Sequence, residues 1–155
     1  MTPPPIRYVF VYGTLRRGEQ RDINRLTPAP RWLGQASVYG VLYDLGEYPG
    51  LVLASEQRPG QDQGRVSGEV YGIADELERL LDEIEEVAPR PSGEYVKQQV
   101  RVYFEPPVST IEGRPVPALT CLVYEVTPGR SAGCPVIFGG DWVSYRVHLQ
   151  GGPST

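Results

Sequence analysis

The chain has a single histidine, two cysteines and no surplus of basic residues among its 155 positions. One imidazole, His148, is too few for the usual zinc site and leaves a triad with a distant serine without support. His148 is therefore expected at the surface or in packing. Cys121 lies in an apolar, strand-like run and Cys134 in a Gly/Pro loop. Their spacing fits neither a disulfide framework nor a metal knuckle, so both are expected as free thiols. With 15 Lys and Arg against 19 Asp and Glu, the net charge is -4. That balance offers no footprint for a phosphate backbone, and nucleic acid is not an expected partner. No apolar run approaches the roughly 20 residues that span a bilayer, and the opening MTPPPIRYVF has no positively charged segment leading into an apolar stretch. No membrane partner is expected, and cytoplasmic residence is the default. Nucleotide cradles of the GxxxxGK[ST] or GxGxxG kind are also missing after any strand.

What is present fits one domain over 1–155, since 40% hydrophobic content closes a single core at this length. Eighteen glycines and 16 prolines cut the chain into short strands and turns. Arg7 to Tyr12 (RYVFVY) is a β-branched and aromatic run expected to be buried on both faces. Val38, Val41, Leu42 and Tyr43 signal a second strand, and YPGLVL a turn at Pro49-Gly50 with a brief third. Residues 65 to 73 (RVSGEVYGI) are a fourth candidate. DELERLLDEIEE, from Asp75 as N-cap, places Leu77, Leu80, Leu81 and Ile84 on one helical face. In YVKQQVRVYF, Val96, Val100, Val102 and Phe104 alternate as on a half-buried strand. EPPVSTIEGRPVP reads as an exposed loop, ALTCLVYEV as a last strand, and the tail as Gly-rich with an apolar patch around VIFGGDW. Strands, a helix and strands again argue for an α+β fold with a mixed or barrel-like sheet.

Two features bear on chemistry. In Val11-Tyr12-Gly13-Thr14-Leu15 a buried strand runs into a glycine, a residue that can take a positive φ and bring bare amides close to a ligand. Alone, this reads as an ordinary strand-ending turn. On the helix, Glu85 lies about a quarter turn from the centre of the apolar stripe, with Glu78 and Glu83 slightly farther away and Glu86 pointing nearly opposite. A carboxyl at such an edge loses hydration, which raises its pKa toward the range of general acid/base work. Alone, this too reads as the solvated flank of an amphipathic helix.

Together, YGTLRRGE after the first strand, GVLYDLGEYPGL, LDEIEE at the helix end, Tyr95 soon after and GGDW near the C-terminus resemble the gamma-glutamylcyclotransferase-like superfamily over about residues 7 to 145. The resemblance implies a compact mixed β-barrel with flanking helices, its cavity opening at the first glycine turn. It implies that backbone at Tyr12, Gly13, Thr14 and Leu15 holds the α-carboxylate end of a gamma-glutamyl group. Glu85 would be the catalytic acid/base, and Tyr95 would stand near the pocket. It also implies release of 5-oxoproline from a small gamma-glutamyl amine or peptide, with no metal and no cofactor. Two residues depart from the family pattern: Glu86 stands where glycine usually follows the catalytic glutamate, and Lys97 where arginine is common. These departures keep an alternative open, a non-catalytic binding or interaction module with the same fold and cavity. Neither the leaving amine nor the oligomeric state is fixed by the residues.

Overall fold

A computed structural model describes residues 7–54, 64–86, 93–109, 115–127 and 129–151. Six strands form one sheet: β1 (Arg7–Val11), β2 (Arg31–Asp44), β3 (Pro49–Leu53), β4 (Arg65–Ile73), β5 (Tyr95–Ser109) and β6 (Pro115–Val126). Two helices flank it, α1 (Asp75–Ile84) and α2 (Trp142–Gly151). The strand order is β3-β2-β4-β1-β6-β5, and β2 also pairs with β5 through Ala36–Phe104 and Ser37–Tyr103. That last pairing closes five strands into a barrel and leaves β3 attached to the far half of β2. The fold is α+β, a mixed barrel with flanking helices: β1 runs antiparallel to β4 and parallel to β6.

Burial on both faces follows from alternation along the strands. One core cluster draws on all five barrel strands, including Phe10, Val38, Val66, Val102, Phe104 and Val123, and fills the barrel. The other, with Val9, Val11, Tyr71, Ile73, Leu122 and Tyr124, lies on the outer face under Leu77 and Leu81 of α1. β1 therefore contributes to both, as its unbroken apolar run requires.

Several local expectations are corrected. Pro49 and Gly50 are the first residues of β3, and the reversal falls at residues 45–48, where the Leu45 N–H donates to the Tyr48 carbonyl at 3.0 Å. Asp75 is the first helical residue; Ala74 is the N-cap and makes no side-chain cap bond. β2 begins at Arg31, seven residues before Val38. Val96 is 41% exposed, while Val102 and Phe104 are buried, so the alternating face of β5 is covered only where the barrel closes. Most of the expected loop at 105–117 is hairpin: Val108 faces Val116 and Ser109 faces Pro115, with residues 110–114 outside the described set. The tail holds α2, whose apolar residues form no clean stripe. Its start is marked by Asp141, which accepts from the Ser144 N–H at 3.2 Å. Trp142 is buried at that start, His148 is exposed on the same helix, and Phe138 projects from the preceding turn. Cys121 is buried and Cys134 half-buried, both as free thiols.

Candidate functional site

β1 ends against a cavity of about 100 Å³. Its lining includes Tyr12, Gly13, Thr14 and Leu15 from the strand end, Glu85 from the end of α1 and Tyr95 from the start of β5. All six residues singled out in the sequence thus meet in one hollow. Arg21, Tyr48, Pro49, Glu94 and Tyr124 line it too, and sequence reasoning did not single them out. The EYPG stretch pointed toward two of them, whereas Arg21 sits in a charged segment without period.

The turn is built by its carbonyls. Those of Gly13, Thr14 and Leu15 accept from the N–H groups of Arg16, Arg21 and Ile23 at 3.0, 2.8 and 2.9 Å. The amide N–H groups of Gly13, Thr14 and Leu15 donate to no acceptor among the described residues. Three unspent donors beside a cavity are the means by which backbone holds an anion. Glycine is needed at 13 for a different reason from the one expected: its φ is not positive, but a Cβ there would stand 2.7 Å from Cγ of Pro49. Close approach of the proline ring, not backbone freedom, excludes a side chain.

Two tyrosines fix the walls. The Tyr12 hydroxyl donates to the Tyr124 carbonyl at 2.6 Å and accepts from the Leu51 N–H at 3.3 Å. The Tyr95 hydroxyl donates to the Pro49 carbonyl at 2.8 Å. Burial pushes both phenols far above their usual range, so neither supplies a base near neutrality. At the rim, the Glu94 carboxylate accepts from the Tyr48 hydroxyl at 2.8 and 2.9 Å and from Arg130 at 2.8 Å.

The acids of α1 are handled unequally. Glu78 and Asp82 are buried more deeply than the helix geometry suggested, and both are neutralised: Lys97 reaches them at 2.7 and 2.9 Å, and Arg7 also reaches Glu78. The Tyr124 hydroxyl donates to Asp82 at 2.7 Å. Lys97 thus bridges two carboxylates through separate bonds, work that a point-charge ammonium does without a planar fork. The side-chain carboxyl of Glu85, the C-cap of α1, makes no hydrogen bond or ion pair with a described residue. Although half-buried, Glu85 carries a carboxyl raised from 4.5 to about 7, first by burial and further by the Glu94 and Glu86 charges, with Arg21 opposing. Glu86 follows at φ +57°, the left-handed conformation that favours glycine after a helix. The glycine that the family resemblance leads one to expect at this position would suit the backbone that Glu86 adopts.

Among the described residues no cluster of His, Cys, Asp and Glu is arranged to hold a metal ion, and no helix is long and apolar enough to cross a membrane. A carboxyl that changes charge near neutral pH, lining the same cavity as backbone donors that have no acceptor among the described residues, suits proton transfer on a ligand that carries a carboxylate.

Residues 9–144 match the family profile described as "Gamma-glutamyl cyclotransferase, AIG2-like". The gamma-L-glutamyl-butirosin B gamma-glutamyl cyclotransferase of Niallia circulans is 38% identical over 79 residues, 50% of this chain and 45% of that protein. The gamma-glutamylaminecyclotransferase of Bos taurus is 39% identical over 84 residues, 50% of this chain and 47% of that one. The match thus spans about half the length of these curated relatives. In three dimensions the chain resembles YkqA from Bacillus subtilis, with a TM-score of 0.66 and 25% identity over 96% of this chain and 44% of that one. An AIG2-like protein from Mus musculus shares the fold, with a TM-score of 0.63 and 22% identity over 88% of each chain. With the profile covering nearly the whole barrel, the chain belongs to the gamma-glutamyl cyclotransferase, AIG2-like family.

Proposed function

We propose that the protein is a cyclotransferase that releases 5-oxoproline from a gamma-glutamyl amine or gamma-glutamyl peptide. The observation that carries this reading is the meeting of an unpartnered carboxyl, Glu85, with the free amides of residues 13–15 in one cavity. The amides receive the substrate's α-carboxylate, and Arg21, which lines the same cavity, adds a positive charge. Glu85 in its charged form takes a proton from the α-ammonium. The freed amine attacks the γ-carbonyl, forming the ring C–N bond. Glu85 then returns the proton to the amide nitrogen as the old C–N bond breaks, the ring nitrogen passes its second proton to the departing amine, and 5-oxoproline and an ammonium leave.

The chemistry asks chiefly for conformational restraint. Holding amine and carbonyl together can supply on the order of 7 kcal/mol or more, and a positioned acid/base a further 10²- to 10⁴-fold, both order-of-magnitude expectations. The phenols of Tyr12, Tyr48, Tyr95 and Tyr124 are all raised by burial, whereas the carboxyl of Glu85 changes protonation near pH 7.

Glu85→Gln keeps the size of the side chain and removes the base. Its kcat for 5-oxoproline release from gamma-glutamyl amines should fall by about 10²-fold or more. Equal rates in variant and parent would overturn the reading.

A further inference from the structure

The charges around the cavity are unequal in number: Arg21 is the one Lys or Arg among the described lining residues, and its charge opposes the rise of Glu85. Three carboxylates, Glu85, Glu86 and Glu94, line the same hollow. Their commitments differ. Glu85 faces the reacting amine in the proposed reaction, and Glu94 is engaged by Tyr48 and Arg130. Glu86 is exposed, and its carboxylate accepts no hydrogen bond or ion pair from a described residue. Its charge is nonetheless felt inside, where it helps to push Glu85 upward.

We propose that Glu86 is a specificity-determining residue that selects gamma-glutamyl amides whose leaving amine carries a positive charge beyond the scissile nitrogen. This inference rests on the cyclotransferase reading. Once the glutamyl carboxylate has engaged the amides of residues 13–15, and its amine Glu85, the remainder of the ligand lies beyond the γ-amide, toward the other lining groups. An alkylammonium there is attracted by Glu86. A carboxylate next to the amide nitrogen, as in gamma-glutamyl α-amino acids, is repelled. Glycine at this position, the residue expected from the family pattern, would have no such preference.

The test compares two amides of equal length, gamma-glutamyl-1,5-diaminopentane and gamma-glutamyl-pentylamine. The parent should favour the cationic amide in kcat/KM, and the preference should shrink as salt rises. Glu86→Gln and Glu86→Gly should each reduce the ratio by about two- to fivefold, the size of one solvent-screened charge pair. The glycine variant also relieves the left-handed backbone, so loss of folding cannot account for a shared effect. Calorimetric binding of both amides to Glu85→Gln reads the preference without turnover. Turnover with no preference, or a preference unchanged in both Glu86 variants, would overturn the inference alone. Preferential binding of the cationic amide without turnover by the parent would support the inference and overturn the cyclotransferase reading. Absence of both binding and turnover would overturn both.

Discussion

Gly13 and Pro49 touch so closely that no side chain fits between them: a Cβ on residue 13 would lie 2.7 and 2.9 Å from Cγ and Cδ of the ring. Pro49 in turn receives the Tyr95 hydroxyl on its carbonyl, so strand end, β3 and the start of β5 are held in one chain of contacts. Gly13→Ala should therefore move the proline and misplace the walls of the cavity. We expect a loss of about 1–3 kcal/mol in stability, the usual cost of overpacking, with a fall in kcat/KM on gamma-glutamyl amides larger than the stability loss explains. Urea unfolding and steady-state kinetics on the same preparation check this.

The raised carboxyl of Glu85 sets a pH dependence. As a base it works only when ionised, so kcat/KM should climb with pH along a single-proton limb centred near 7, the value to which burial raises this group. In Glu85→Gln the limb should disappear from the residual rate. A profile with its midpoint near 4.5 would show instead that water reaches the carboxyl freely.

The same shift has a cost in folding. Glu85 binds its proton more tightly in the folded state, about 7 against 4.5 when unfolded, so stability is lost as pH rises through that window and the loss is complete above it. At 1.36 kcal/mol per decade the cost is on the order of 3 kcal/mol. Glu85→Gln never carries the charge and should be more stable than the parent at pH 8.5, by up to about that amount, with little difference at pH 4. Denaturant midpoints at the two pH values decide the matter.

Much of this was legible from local pattern. β4 falls on the residues its β-branched run marks, Arg65–Ile73, and the Leu77–Leu81 stripe of α1 packs inward as its period requires. Five of the six site residues converge because two motifs at opposite ends of the β1–α1 segment meet at one hollow, to which the start of β5 adds Tyr95. What was not legible depends on tertiary context. Pro49-Gly50 has the composition of a turn, yet pairing with Tyr43 and Asp44 makes it strand. α2 lacks a clean apolar stripe and is positioned by Trp142, whose indole N–H donates to the buried Glu19 at 3.1 Å. Glu19 lies in the same charged segment as Arg21, and no sequence period announces that pairing. Likewise Glu78 reads as a helix flank until Lys97, brought alongside by β5, gives it and Asp82 a counter-charge.

The ring of five strands has two short joints. β5 meets β2 over two residue pairs and β1 meets β6 at Val9–Leu122, whereas the β2–β4 and β5–β6 ladders are several times longer. In the cyclic order these joints divide the ring into two long-laddered pieces, β2–β4–β1 and β6–β5. Tyr12 follows the strand that ends the first piece and Tyr95 begins a strand of the second, so the hollow they line is shared between the pieces. A thermal fluctuation along either seam therefore changes the spacing of its walls.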